Sequence, residues 1–328
     1  MNETFLHGKV KAQAILLRWA RLLAVGSFLG VLTPWIGGLH YLVELGSHFI
    51  PIYGLMAWLS FVILVAFANK RMAVLPGIAL LATGATIAFS YAKPETSPGT
   101  GMSLRLMISN VLTTNKDYAT FIELVKKEEP DVVVVMEIND AWVKALEPLE
   151  ADYPHRTYRP REDNFGIGIL SKKSVRETSD IDLCGVPALQ AVLSMQRQRV
   201  NLLAVHTLPP VNAENAGRRN AQLKMIADIT KDIRGLAIVA GDLNTTMWSP
   251  SFRSLVRESE LRDARRGFGV HATWPADLAP FMIPIDHCLY RAPTSVKDFR
   301  TGPSFGSDHL PLIIDFAVPG YRSTRSRF

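Results

Sequence analysis

Residues 130–137 read PDVVVVME. Four consecutive β-branched residues, opened by Pro130-Asp131, predict a buried strand over 131–136. An acid, Glu137, stands directly after that apolar run. The same construction recurs along the chain. Residues 104–109 (LRLMIS) lead to Asn110, and 200–205 lead to His206. Residues 236–240 (LAIVA) lead through Gly241 to Asp242 and Asn244 in GDLN. Asp286 and His287 interrupt the apolar stretch 285–290, and Asp308 and His309 in GSDHLP precede the strand predicted at 312–316. Acids, amides and imidazoles placed at strand ends gather at one edge of a sheet, the usual construction of an active site.

Taken singly, each signal has an ordinary alternative. Asn110 is a turn residue or helix cap, and Glu137 a cap for a helix near Asn139. His206 is a hydrogen-bonded, half-buried imidazole, and Asp242-Leu243-Asn244 an Asx-turn. Further strands are predicted at 165–170 (FGIGIL) and 188–195. Helices are predicted at 117–128, with Phe121, Ile122, Leu124 and Val125 on one side, and at 212–234. Many strands with a few interspersed helices predict an α/β sandwich. The sequence has no H-E-x-x-H zinc motif.

The chain of 328 residues is 48% hydrophobic and 20% charged, with a mean hydropathy of +0.12, high for a soluble enzyme. This excludes disorder over most of the length. The excess sits at the front. Residues 49–68 (FIPIYGLMAWLSFVILVAFA) and 72–91 (MAVLPGIALLATGATIAFSY) carry no charge. Each has the length that crosses a bilayer as a helix. Residues 22–43 form a third uncharged stretch, bent by Pro34 and two glycines. A cleaved signal peptide would account for the first stretch alone. Lys9, Lys11, Arg18 and Arg21 precede the first span, Asn69-Lys70-Arg71 links the second and third, and 44–48 between the first two has no lysine or arginine. Positive charge stays inside, which predicts a multi-pass protein of the cytoplasmic membrane with everything after Tyr91 on the outer, periplasmic face. The predicted organisation is a three-helix membrane domain over 1–91, a Pro/Gly/Ser/Thr-rich linker over 92–101, a polar domain over 102–318 and a basic tail over 319–328.

The formal net charge of +6 does not reside in the polar domain. Residues 1–91 hold six basic and two acidic residues, the tail holds Arg322, Arg325 and Arg327, and 92–321 hold 27 basic against 28 acidic. Nucleic-acid binding driven by bulk charge is therefore not supported. Two cysteines, Cys184 and Cys288, exclude a disulfide scaffold and a cysteine zinc site, while leaving open a single bond between them.

The ordered set of motifs resembles the endonuclease/exonuclease/phosphatase superfamily, which includes DNase I-like nucleases, inositol phosphate phosphatases and neutral sphingomyelinases. The matching pieces are ISN at Asn110, PDVVVVME at Glu137, FGIGILS at 165–171, AVHT at His206, AGDLNT at Asp242 and Asn244, ATWP at 272–275, IDH at Asp286 and SDHLP at Asp308 and His309. The resemblance implies a four-layer α/β/β/α sandwich (DNase I-like), here preceded by three transmembrane helices. It also implies cleavage of phosphoester bonds dependent on Mg²⁺, with Mn²⁺ as the alternative. By the same resemblance, Glu137 anchors the metal with Asn110 and Asp308 nearby. Asp242 orients or deprotonates the attacking water, and Asn244 holds that water or a phosphate oxygen. His309 contacts the scissile phosphate, Asp286 accepts a hydrogen bond from His309, and His206 faces the phosphate from the other side. The chemistry is consistent: a hard cation with oxygen ligands lowers the cost of bringing hydroxide to an anionic phosphorus centre.

Two further segments are candidates for substrate contact. Arg156, Arg159 and Arg161 crowd six residues ahead of FGIGIL and would bind a second phosphate, or else are solvated charges on an exposed edge. Trp274 would stack on a base or lie against a lipid, or else is packing. Arg219 and Gln222, on the 212–234 helix, either support the metal-side loop or belong to a solvated helix face. The expected substrate is a phosphate ester, lipid-linked, nucleotide or nucleic acid, and the expected partner is the bilayer, with no protein partner deducible. The expected function is a membrane-anchored, metal-dependent phosphodiesterase or phosphatase. The alternatives are a membrane-tethered nuclease and a catalytically silent scaffold.

Overall fold

The structure, a computed structural model, describes residues 3–67, 69–93, 101–196 and 198–320. The central part of the expected linker and nearly all of the basic tail therefore lie outside the described residues. The chain divides into two compact units, one built from the helices up to Tyr91 together with Trp248–Pro250 and one from the remainder of the polar chain.

In the first unit, α1 (Glu3–Ile36), the short α2 (Tyr41–Gly46), α3 (Ile50–Ala66) and α4 (Lys70–Tyr91) follow one another. Among the described residues, three stretches are long and apolar enough to cross a membrane: His7–Leu39, Tyr41–Ala66 and Lys70–Tyr91. The first lies earlier than the expected 22–43. Pro34 has no N–H for the Gly30 carbonyl, which instead accepts the Thr33 hydroxyl at 2.6 Å, and the helix ends two residues beyond Pro34. The expected 44–48 link is itself partly helical, falling in α2 and the 3₁₀ turn Ser47–Phe49. Small residues bring the helices together: Ala20 and Ala24 pack with Leu64 and Ala73, and the Ser60 hydroxyl donates to the Ala20 carbonyl at 2.7 Å. A Cβ on Gly30 would lie 2.5 Å from the Tyr53 ring, so only glycine admits that ring.

The second unit is a sandwich of two six-stranded sheets. In chain order its elements are β1 (Gly101–Asn110), α5 (Tyr118–Glu128), β2 (Val132–Met136), α6 (Asp140–Ala145), β3 (His155–Arg159), β4 (Ile167–Ser171), β5 (Val175–Leu183), β6 (Val186–Met195), β7 (Gln198–His206), α7 (Ala213–Asp232), β8 (Leu236–Asp242), α8 (Pro250–Ser259), β9 (Arg262–Asp263), β10 (Asp286–Tyr290), β11 (Ser295–Thr301) and β12 (Leu312–Pro319). One sheet runs β11-β12-β1-β2-β4-β3 and the other β5-β6-β7-β8-β10-β9. β1 and β2 are parallel, as are β7 and β8; the other pairings are antiparallel.

The valine run explains the layering. Val132, Val134 and Met136 face the core between the sheets, with Leu202, Ala204, Ile238 and Ala240 of the opposing sheet. Val133 and Val135 face outward beneath Phe121, Leu124 and Trp142 of α5 and α6. A strand covered on both faces reads as a continuous apolar run instead of an alternating one. On the far side, Leu223 and Ile226 of α7 and Phe252 and Leu255 of α8 cover Leu203, Val205 and Val239. The order is thus helix, sheet, sheet, helix, as expected. Strands β3, β5, β9 and β11 were not legible. β5 shows why: it is an edge strand and exposed along most of its length, so no apolar run marks it.

Candidate active site

Strand register assembles the site. β7, β8 and β10 pair so that His206 stands opposite Asp242 and Asp242 opposite Asp286, placing the three in one row across the second sheet. In the first sheet Asn110 pairs with Met136, so Glu137 follows at the same strand ends. The Asp242 backbone N–H donates to Met136 Sδ at 3.0 Å, joining the two sheets at this level. Gly241 lets β7 and β8 meet there: a Cβ would lie 1.8 Å from the Val205 carbonyl oxygen.

Three expected site residues meet around the first sheet's strand ends. Asn110 Nδ2 donates to Glu137 Oε1 at 2.8 Å and lies 3.5 Å from His309 Nε2. The Thr113 hydroxyl donates to the Glu137 carbonyl at 3.0 Å, fixing a residue whose φ is +61°. Asn139 caps α6 through Trp142, so Glu137 is not the helix cap. Asn110 does serve a turn as well: its Oδ1 accepts the Leu112 N–H at 3.1 Å. Burial raises the Glu137 pKa against the opposing hydrogen bond from Asn110.

His309 Nδ1 lies 2.8 Å from Asp286 Oδ2, and His309 Nε2 lies 3.8 Å from Asp242 Oδ2. Burial by itself would lower the imidazole pKa. The Asp286 carboxylate, through charge and hydrogen bond, outweighs it with help from Asp242 and Asp308 and lifts His309 to about 10. Burial would likewise raise Asp286, and the facing imidazolium holds it below the ordinary carboxylate range instead. For Asp242, burial together with the neighbouring Asp286 charge outweighs the same imidazolium, 3.8 Å away, and raises it well above that range. Its Oδ1 accepts the Asn244 N–H at 2.8 Å, the Asx-turn read from the sequence, while Oδ2 faces the two imidazoles. Asn244, at φ +46°, donates its side-chain amide to the Thr207 carbonyl at 2.8 Å. His206 Nε2 lies 3.7 Å from Asp242 Oδ2, and its ring contacts Phe165 at 5.2 Å between centroids. Burial, then the His309 charge, pushes the His206 pKa down to about 4, so it is neutral at pH 7.

Trp274 makes a contact that the sequence did not show. Its indole N–H donates to Asp308 Oδ2 at 2.9 Å, so it holds a carboxylate instead of presenting only a stacking face. The arginine cluster meets acids. Arg156 pairs with Glu150 at 3.3 Å, Arg159 with Asp180 at 2.8 Å and Arg161 with Asp163. Each guanidinium is engaged by an acid nearby. The solvated-face reading of α7 is corrected: Arg219 and Gln222 are fully buried. Arg219 Nη1 donates to the Asn244 carbonyl and Gln222 Oε1 accepts the Leu208 N–H, each at 2.8 Å, so both secure loops at the site. Cys184 and Cys288 are free thiols.

One group escaped the sequence reading. Buried Arg265 donates to the Asp286 carbonyl at 2.6 Å and lies 2.9 Å from His287 Nδ1, whose Nε2 lies 2.8 Å from the Thr245 carbonyl. It ties β10 to the GDLNT loop. Nothing in RDARR distinguished Arg265 from its neighbours, although His287 was visible beside Asp286.

The donor set fits a hard divalent cation. Glu137, Asp242, Asp286 and Asp308 face a single imidazolium, and among the described residues Asp308 Oδ1 is a buried atom without a hydrogen-bond partner. Asp242, Asp286 and His309 also place ligand atoms within 4.8 Å of one another. There, however, His309 Nδ1 is already committed to Asp286, and a raised imidazole pKa opposes metal binding at nitrogen.

A family model described as the endonuclease/exonuclease/phosphatase family matches residues 107–309. Comparison with curated proteins gives no match. Among solved structures, a humanized D. rerio TDP2 superposes with a TM-score of 0.57 at 18% identity, over 66% of this chain and 99% of the other. An endonuclease/exonuclease/phosphatase from Beutenbergia cavernae gives 0.55 at 19% identity, over 66% and 72%. The human nocturnin catalytic domain gives 0.54 at 18% identity, over 66% and 96%. At these identities the likeness is one of fold.

Proposed function

The chain belongs to the endonuclease/exonuclease/phosphatase family, and from that premise we propose that it is a membrane-anchored, divalent-metal-dependent phosphoesterase. The observation that carries this reading is the meeting of two unlike half-sites. One is the hydrogen-bonded pair of Asn110 and Glu137, with the Asp308 charge near enough to act on Glu137; the other is the His309–Asp286 pair with Asp242 beside it.

Glu137 and Asp308 would hold Mg²⁺ or Mn²⁺, with Asn110 orienting Glu137. When bound, the cation supplies Lewis-acid neutralisation of phosphate charge. The chain's own residues do the rest. His309 is cationic at neutral pH and presents Nε2 to a phosphate oxygen, where its charge is worth most as negative charge develops. Asp286 fixes the ring through Nδ1 and keeps it protonated. Asp242, raised by burial, is suited to accept a proton from the attacking water. Asn244 holds the turn that aims Asp242. His206, neutral and buried opposite, orders the substrate's second oxygen without adding charge.

Anchoring rests on the three membrane-length helices. The placement of Lys9, Lys11, Arg18, Arg21, Lys70 and Arg71 supports the polar unit facing outward. Labelling of a Ser97→Cys variant in intact cells tests sidedness; reaction from the inner face alone overturns it.

Hydrolysis of bis(4-nitrophenyl) phosphate and of duplex DNA by the purified full chain tests the chemistry. Turnover should require added Mg²⁺ or Mn²⁺ and stop with chelator. Glu137→Gln and His309→Ala should each lower kcat by about 10²-fold or more. Turnover that survives both substitutions overturns the site.

A further inference from the structure

We propose that the loop over 275–282 docks on the bilayer and that the substrate is a lipid-borne phosphoester; this rests on the phosphoesterase reading above. Among the described residues of the second unit, the large apolar side chains left exposed are Val211, Leu278 and Phe281, at 74%, 51% and 48%. All three leave the sandwich beside the site. Val211 lies five residues beyond His206 on the connection from β7 to α7. Leu278 and Phe281 form the tip of a loop whose base is fastened to the site itself. At that base, the Ala276 N–H donates to the Asp308 carbonyl at 2.8 Å, Trp274 bridges to Ile283, and the Leu243 N–H donates to the Ile285 carbonyl at 3.0 Å.

The tip is formed, not frayed. The Leu278 N–H donates to the Pro275 carbonyl at 3.2 Å, the Phe281 N–H to the Leu278 carbonyl at 2.8 Å, and Ala279–Phe281 is a 3₁₀ turn. This backbone holds both side chains out while the whole run 277–281 is exposed. The fold therefore forgoes burial of a leucine and a phenylalanine beside the site.

Three occupants are conceivable, and chemistry separates them. Nucleic acid would be met by lysine or arginine, whereas PADLAPFM over 275–282 has no basic residue and one acid, Asp277. A stable protein partner needs roughly 800 Å² from each side, more than a tip of a few side chains offers. A bilayer asks less. The same chain carries three helices long enough to span one, so the lipid surface is held at high effective concentration and a few apolar side chains in the headgroup boundary suffice to orient the domain. With Leu278 and Phe281 sunk at the rim, the cleft at Asp308 faces the depth at which lipid phosphates lie.

The test uses the full chain in nanodiscs. Soluble bis(4-nitrophenyl) phosphate is assayed against phosphatidylglycerol, phosphatidylethanolamine and phosphatidic acid embedded in the same disc. A Leu278→Ser/Phe281→Ser double variant should lose at least about tenfold in turnover of a lipid substrate while retaining turnover of the soluble diester. Separately, a fluorophore on Phe281→Cys in a Cys184→Ser background should be quenched by doxyl-labelled lipid, and one on Arg199→Cys, at the far end of β7, should not. Turnover of the soluble diester with none of the lipids overturns the substrate class and leaves the phosphoesterase reading standing. Equal loss on both substrates, or no quenching at 281, overturns the docking role. Failure on every phosphoester sinks the activity itself, and the quenching arm still decides whether the tip meets lipid.

Discussion

Trp274 holds Asp308 by a single hydrogen bond, indole N–H to Oδ2 at 2.9 Å, with the two rings of Trp274 and His309 6.4 Å apart. A side chain expected to touch substrate thus also supports a proposed metal ligand. Outer groups that orient metal ligands are typically worth 10–100-fold in affinity. Trp274→Phe keeps the ring and removes the donor. It should raise the Mg²⁺ concentration for half-maximal activity by about tenfold and leave kcat at saturating Mg²⁺ within about threefold. Metal titration of turnover checks this; an unchanged midpoint with a fallen kcat would return Trp274 to substrate contact.

Asp286 governs the protonation of His309. Asp286→Asn removes the charge that lifts the imidazole to about 10 and should bring its pKa back toward or below 6.5. The alkaline limb of the rate profile should move to lower pH by the same interval, and kcat at pH 8 should fall by about 10²-fold or more. NMR titration of the His309 side chain and the pH dependence of kcat together decide it.

His206 and His309 predict opposite stability limbs. His206 is depressed to about 4 when folded, so between about pH 6.5 and 4 the unfolded chain takes a proton that the folded chain refuses. Stability should fall with acid by up to about 3 kcal/mol from this group. His309 is raised, so its stabilising contribution is complete below about pH 6.5 and is lost as pH rises through about 10. Thermal unfolding across pH reads both limbs; His206→Asn should flatten the acid one alone.

Arg265 is a buried cation held by the Asp286 carbonyl and His287 and lying over the Phe299 ring at 5.3 Å. Arg265→Met leaves that carbonyl and His287 Nδ1 without a donor, a loss of about 2–4 kcal/mol. Because the bracket also aims Asp286, kcat should fall more than KM changes. Arg265→Lys should recover stability in part and kcat less, since one ammonium cannot span both acceptors. Unfolding midpoints and steady-state kinetics on the three proteins check it.

The sequence by itself determined the apolar front and the layered sandwich. PDVVVVME needed no partner to be read: an uninterrupted β-branched run has no solvent face, so it must lie between two layers. The strand-end positions of Asn110, Glu137, His206, Asp242, Asp286 and His309 followed for the same reason, because a polar residue closing an apolar run marks where the strand leaves the core. Exposed strands such as β5 carry no such mark and stayed hidden. Tertiary structure alone decided what each polar atom meets. Trp274 reached Asp308 across 34 positions of chain, Arg265 found His287 and the Asp286 carbonyl, and Arg156, Arg159 and Arg161 were each paired with nearby acids. Hydrogen bonds and ion pairs act over about 3 Å between groups remote in sequence, and pattern along a chain records burial, not the identity of the partner.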